Sequence, residues 1–291
     1  MRIAVIGRGK WGMRIVRTLA TMRDVELIDE SKKFDVVLRQ RPAGVLIATP
    51  SATHAEVAVP FIDAGVPTFI EKPMATTVAD AIRIREAALR SGAPVVVGHV
   101  HLYNPAFQAA KKLLPEVETV QAVFWEGMNH HPRTDSSVLW DWLPHGLSMV
   151  QALFDANPVF AQAWGVGEES RFIAALTKFV IAGVPFTAHV SWISPVKRHR
   201  MTIVGEDNSL NFDDSAERKL LLRNSRGTSY PAYSEELPLT RELRAFIDVM
   251  RAGRLDTTQL ESEVAIVRAI AAAEESARNA ARLVANDTCR S

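Results

Sequence analysis

Hydrophobic and polar positions divide the chain into two regimes. Through about residue 100, short apolar runs rich in β-branched residues alternate with stretches of helical period. The runs are Ile3, Val5 and Ile6, then residues 25–28, 45–48, 66–70 and 94–97. Unbroken runs of this length read as strands buried on both faces, as in a parallel sheet covered by helices. The predicted helices pass through Met13, Val16, Leu19 and Ala20, then around residues 34–39, then after Thr53, and from Thr77 to about Arg90 with Ile82, Ile84 and Leu89 among the apolar residues. Thr53-x-x-Glu56 reads as a capping box and Thr77-x-x-Asp80 as a second cap. Pro60 should kink or shorten its helix, and Gly65 should stop it. From about Thr119 the strands become longer, more polar and separated by turns, at 120–126, 160–166, 174–181, 186–193 and 200–204. Such runs predict a mostly antiparallel sheet in a second domain. Residues 139–153, 240–251 and 258–284 read as helices, the last opened by Thr258-x-x-Glu261.

The turn after the first strand carries the earliest chemical signal. Gly7, Gly9 and Gly12 form G-x-G-x-x-G between a strand and a helix. The first glycine makes a tight turn, the second lets a pyrophosphate touch backbone, and the third lets helix and strand pack closely. The helix N-terminus then offers unpaired N–H groups to phosphate. In that context the motif predicts a dinucleotide-binding Rossmann domain. Asp29, about twenty residues further on, fits the place where such a fold holds the adenosine ribose hydroxyls. Ser31, Lys32 and Lys33 could instead receive a 2′-phosphate, so the cofactor is NAD or NADP. Only the short segment at 34–39 separates Asp29 from the next strand, where a full Rossmann half places another helix and strand. One α/β unit is therefore trimmed, at the sheet edge beside the adenosine end. The expected fold class is α/β: a doubly wound, somewhat truncated Rossmann domain over 1–118, and an α+β domain on an open, mostly antiparallel sheet over 119–291.

Composition narrows the classes. A chain of 291 residues can hold two domains, and 47% hydrophobic with 23% charged residues is ordinary for a globular protein. A formal net charge of +1 creates no field to draw nucleic acid or an anionic membrane. No apolar run reaches bilayer-spanning length, and a strand starting at Arg2 leaves no space for a signal peptide. Cys289 is the single cysteine, so no disulfide framework is expected, and the default compartment is the cytoplasm.

Three further groups could do chemistry. Lys72 follows Glu71 at the C-terminal edge of a strand, where open α/β sheets bind ligands, and partial desolvation there suits it to donate a proton or hydrogen bond. Asp141 and His145 are four apart in a helical stretch and share a face. A carboxylate beside an imidazole fixes its tautomer and suits a general base near neutral pH, or simply makes a structural hydrogen bond. Pro144 fits a first helical turn, which would leave Asp141 just before the regular helix. His99 and His101 read as alternating along a strand, with His130 and His131 adjacent to each other further on. No Cys or carboxylate accompanies them at ligand spacing, so no metal is expected. Trp125, Trp140, Trp142, Trp164 and Trp192 read mostly as core or subunit-interface residues, and Lys197-Arg198-His199-Arg200 as a solvated hairpin.

Taken in order, the glycine turn ending in Trp11-Gly12, Ala48-Thr49-Pro50 with His54, Glu71-Lys72-Pro73, Tyr103-Asn104-Pro105 and Asp141-x-x-x-His145 resemble the Gfo/Idh/MocA oxidoreductases over nearly the entire chain. The phrases Gly98-His99-Val100-His101-Leu102-Tyr103-Asn104-Pro105 and Leu139-Trp140-Asp141 look most like the branch acting on nucleotide-linked amino sugars. The resemblance implies hydride transfer between a nicotinamide and a secondary alcohol or ketone of a sugar, polyol or nucleotide sugar. It implies that Lys72, Asp141 and His145 are catalytic, and that His101, Tyr103, Asn104 and His145 meet the substrate. Around the cofactor it places Gly7, Gly9, Lys10, Trp11, Gly12, Asp29, Thr49, Pro50, Ser51, His54, Glu71 and Lys72. It also implies a homo-oligomer, dimer or tetramer, joined through the C-terminal sheet. Two rival readings on the same fold are a redox-silent nucleotide- or sugar-binding regulator and a glycosidase that retains its NAD.

Overall fold

The structure, a computed structural model, describes every residue except 29–33, 131, 135, 170 and 289–291. Asp29, Ser31, Lys32, Lys33, His131 and Cys289 therefore lie outside the described residues. The chain begins β1 (Arg2–Ile6), α1 (Lys10–Leu19), β2 (Glu26–Ile28), α2 (Phe34–Arg39), β3 (Gly44–Ile47), α3 (His54–Asp63), β4 (Thr68–Glu71), α4 (Val78–Ser91) and β5 (Val95–Gly98). It continues with α5 (Pro105–Leu113), β6 (Ala122–Met128), α6 (Val138–Phe154), β7 (Val159–Glu168), β8 (Arg171–Ile181), β9 (Val184–Ser191) and β10 (Arg198–Val204). The last elements are β11 (Ser209–Asp213), β12 (Leu220–Asn224), β13 (Gly227–Ser229), α7 (Pro238–Ala252) and α8 (Thr257–Thr288).

Two compact units result, one of residues 1–103 with 236–267 and one of 104–235 with 268–291. In the first, five parallel strands run in the order β2-β1-β3-β4-β5. The trimmed edge is visible here: β2 is the outer strand, and the six-residue α2 leads straight to β3. The β-branched runs are buried on both faces, as a helix-covered parallel sheet requires. One of the covering elements comes from late in the sequence. Leu243, Phe246, Ile247 and Met250 of α7 join Ile3, Val5, Leu46, Phe69 and Val96 in one core, with the Phe69 and Phe246 rings 5.5 Å apart edge to face. Gly44 allows this approach, because a Cβ there would run into the Met250 sulfur.

The second unit is an eight-stranded sheet in the order β13-β12-β11-β10-β6-β9-β8-β7, antiparallel except for the β6–β9 pair. Strands β11, β12 and β13 and helix α5 add to the elements read from sequence. Helix α6 covers the face bearing Trp125, Phe172, Phe179, Phe186 and Ala188, while Phe107 of α5 meets Phe212 of β11 at 5.8 Å. Alternation turns Phe124 of β6, Trp164 of β7 and Leu176 of β8 outward, and each is more than two-fifths exposed.

Several local expectations are corrected. Thr77 does cap α4, its Oγ1 accepting from the Asp80 amide at 3.1 Å. Thr53 forms no capping box: a 3₁₀ turn precedes α3, and its hydroxyl donates instead to Pro50 O at 2.7 Å and lies 2.9 Å from Thr49 Oγ1. Helix α8 is opened by Asp256, whose Oδ1 accepts from the Gln259 amide at 3.0 Å, and not by Thr258. His99 and His101 do not alternate on a strand, because β5 ends at Gly98 and Val100–Tyr103 is a 3₁₀ turn. Residues 198–200 are not a solvated hairpin but the start of β10. There Arg198 pairs with Glu126 of β6 at 2.9 Å and Arg200 Nε donates to the same carboxylate at 2.6 Å.

Candidate functional site

In the first unit the glycine turn is shaped for a ligand that approaches backbone. Gly7 has φ +93°, and a Cβ there would sit 2.5 Å from the Ala48 carbonyl carbon, so only glycine fits. A Cβ on Gly12 would land on the Gly7 carbonyl oxygen, which is why α1 can begin flush against the β1 end. Gly9 differs: a Cβ there meets nothing within 4 Å. Gly9 also caps α1 without any side-chain acceptor, so no side-chain cap takes up the first-turn amides of the helix. A clear backbone surface and uncapped amides fit a pyrophosphate.

Around this turn the strand ends converge. Trp11, in the first turn of α1, donates its indole N–H to Glu71 Oε1 at the end of β4, and Arg14 lies over the same ring at 5.8 Å. Lys10 is exposed beside it. Lys72 follows directly, and the Lys72–Pro73 peptide is cis. His54 is buried, with Nδ1 2.9 Å from Pro73 O and Nε2 3.1 Å from Thr49 O. Burial holds its pKa below the ordinary value, the backbone carbonyls opposing this. The ring thus lies between the β3 end and the turn after Lys72, and when neutral it donates to one of the two carbonyls. His101 is buried in its 3₁₀ turn. Tyr103 ends that turn, its hydroxyl pushed up to about 12 by burial and then by Glu242 and Glu263.

The second unit presents Asp141 and His145 on α6. Ser137 caps this helix, accepting from the Leu139 amide at 3.4 Å, and Asp141 lies within the first turn. The expectation that Pro144 opens the helix is thus corrected: Pro144 lies inside it. Burial of Trp140, Trp142, Leu143 and Leu147 along α6 offsets the roughly 3 kcal/mol that an interior proline costs. Asp141 Oδ2 accepts from the Trp192 indole at 3.0 Å, and Oδ1 lies 3.5 Å from Arg133 Nη1. His145 is buried, its ring 5.9 Å from that of Trp142, which stacks edge-on against His199 at 4.5 Å. Gly146 fixes the height of this helix on the sheet, since a Cβ there would lie 2.6 Å from Trp125 Cδ1. Asn104 spends its side chain within the same unit, Oδ1 capping α5 at the Ala106 amide (3.0 Å) and Nδ2 donating to Asp214 at 2.8 Å. Trp192 and Arg133 were not singled out as Asp141 partners from sequence. Nothing in their spacing links residue 141 to residue 192; only the fold does.

The first unit thus has the glycine turn and parallel sheet of a dinucleotide-binding fold, with Lys72 following the adjoining strand end. Residues 16–99 match the model of the Gfo/Idh/MocA oxidoreductase family, described as having an NAD-binding Rossmann fold. It is 27% identical to the 1-carboxy-3-chloro-3,4-dihydroxycyclohexa-1,5-diene dehydrogenase of Comamonas testosteroni, over 79% of this chain and 72% of that one. It is 31% identical to the inositol 2-dehydrogenase of Paracoccus denitrificans, the match covering 56% of each chain, so it spans only about half of that relative. The UDP-N-acetylglucosamine 3-dehydrogenase of Acidithiobacillus ferrooxidans has the same fold, with a TM-score of 0.83 at 21% identity, covering 96% of this chain and 98% of that one.

Proposed function

We propose that this protein is an NAD(P)-dependent dehydrogenase or reductase acting on a secondary alcohol or ketone of a sugar, polyol or nucleotide sugar. The observation that carries the reading is the open backbone surface at Gly9 beside a strand end that delivers Lys72. The nicotinamide, when bound, supplies a two-electron acceptor or donor for hydride. Gly7, Gly9 and Gly12 with the start of α1 hold its pyrophosphate, and the Thr49–Ser51 and Glu71–Lys72 strand ends border it. Lys72 donates a hydrogen bond to the reacting oxygen. His145 takes the hydroxyl proton in oxidation and returns it in reduction, with Asp141 orienting its ring. Substrate contacts fall to His101 and Tyr103, while Asn104 supports them by latching α5.

Titration of the purified protein with NADH and NADPH, following nicotinamide fluorescence, tests the reading, followed by a panel of uronates, inositols and UDP-sugars with both cofactors. Saturable binding of one dinucleotide and turnover of one substrate class are expected; binding of neither dinucleotide would overturn the proposal. Trp192 gives a narrower check. Trp192→Phe removes the indole N–H from Asp141 and is expected to lower kcat about tenfold and displace its pH profile, as a misplaced general base does. An unchanged profile would show that Asp141 is held by other groups. The exposed apolar face bearing Phe124, Trp164 and Leu176 supports a homo-oligomer formed through the eight-stranded sheet.

A further inference from the structure

Near Lys72 in sequence or across the fold, the first unit buries four titratable groups to which the proposed reaction gives no proton-transfer role. Glu71 ends β4 opposite Gly98 in register, Glu242 stands on α7, His99 follows β5 and Glu263 stands on α8; all are nearly inaccessible. His99 and Glu263 satisfy each other, with Nε2 2.9 Å from Oε2. Glu71 accepts the Trp11 indole N–H. Glu242 has no side-chain partner among the described residues, and the His99 amide favours its charged form.

A buried carboxylate is costly unless it is neutralised or bonded. Burial pushes Glu71 up to about 7, held back by the Trp11 bond and then by Lys72 and His99. Glu242 is raised well above the ordinary range by burial and then by Glu71. The groups facing Glu71 are Lys72 from its own strand end, His99 from β5, Glu242 from α7 and the Trp11 indole from α1.

We infer that Glu71 is a positioning residue: as a carboxylate it ties the Trp11 indole, and with it the glycine turn and the start of α1, to the strand end carrying Lys72, and the tie loosens when Glu71 takes up a proton. A hydrogen bond to a carboxylate is roughly twice as strong as one to the neutral acid. The inference rests on the reading of this turn as a dinucleotide seat.

Fluorescence titrations with NADH and NADPH between about pH 6 and about pH 8.5, with thermal unfolding in parallel, test it. In the wild type the preferred dinucleotide is expected to bind about fivefold more weakly at the acid end. Glu71→Gln and Trp11→Phe should each bind at the weak level throughout, with no pH step, and the double variant should bind no more weakly than either. Glu242→Gln, which leaves the Glu71–Trp11 bond in place, should keep the step. Because the folded-state pKa of Glu71 is raised, its contribution to stability is full below about 4.5 and is lost as pH rises through about 7. Glu71→Gln should therefore unfold at no lower a temperature than wild type at the alkaline end, which separates loosened positioning from misfolding. Wild-type affinity or a surviving pH step in Glu71→Gln, or losses that multiply in the double variant, would overturn the inference. If the wild type binds neither dinucleotide, the functional reading itself fails.

Discussion

His145→Ala lowers kcat by about 10²- to 10⁴-fold, the span that positioned general acid–base groups contribute. The expectation rests on how firmly the side chain is held. Gly146 sets α6 against Trp125, the ring of Trp142 stands edge-on to that of His145, and the imidazole is buried. A base fixed in this way is not replaced by solvent water at the same place. NADH and NADPH titrations of the variant should match wild type, because the glycine turn belongs to the other compact unit. Lys72→Ala should fall by a comparable factor. The measurement is kcat across pH with the best substrate of the panel. A full-rate His145→Ala enzyme would remove the residue from proton transfer.

The glycine turn gives the second large effect, and its three glycines should respond differently. Gly12→Ala drives a Cβ onto the Gly7 carbonyl, where both atoms are backbone and neither can swing aside. Helix and strand must part, at a cost on the order of 1–3 kcal/mol, and dinucleotide binding is lost together with thermal stability. Gly9→Ala meets nothing within 4 Å, and Gly9 already has φ −66°, so stability should stay within about 0.5 kcal/mol of wild type. Its methyl group would instead occupy the surface proposed for the pyrophosphate, and affinity for NADH and NADPH should fall by roughly an order of magnitude or more. Thermal unfolding and titration on the two variants separate the roles. Equal affinity in Gly9→Ala and wild type would deny the turn its phosphate.

These contrasts follow from what local sequence can and cannot encode. The parallel strands were legible because burial on both faces leaves uninterrupted runs such as Val45, Leu46 and Ile47. Thr77 was legible because its cap is completed three residues away. Helix α5 carries a readable local sign, since Asn104 caps it and Pro105 occupies its first position. Leu210 with Phe212, and Leu220 with Leu222, likewise carry the period of two that marks β11 and β12. Other features had no local sign. Glu242 and Glu263 sit beside apolar helix positions and resemble solvated charges until α7 and α8 are seen folded against the parallel sheet. The Trp192–Asp141 bond spans 51 positions, and no spacing rule reaches that far. The alternation expected of His99 and His101 fails because β5 stops at Gly98 and a 3₁₀ turn follows.

The late arrival of α7 has a bearing on how this chain is made. A ribosome releases the five parallel strands long before it reaches Leu243, Phe246, Ile247 and Met250, which complete the packing around Phe69 and Val96. During that interval the nascent nucleotide-binding half must wait with an oily flank uncovered, and protection from chaperones or swift elongation becomes part of its route to the native state.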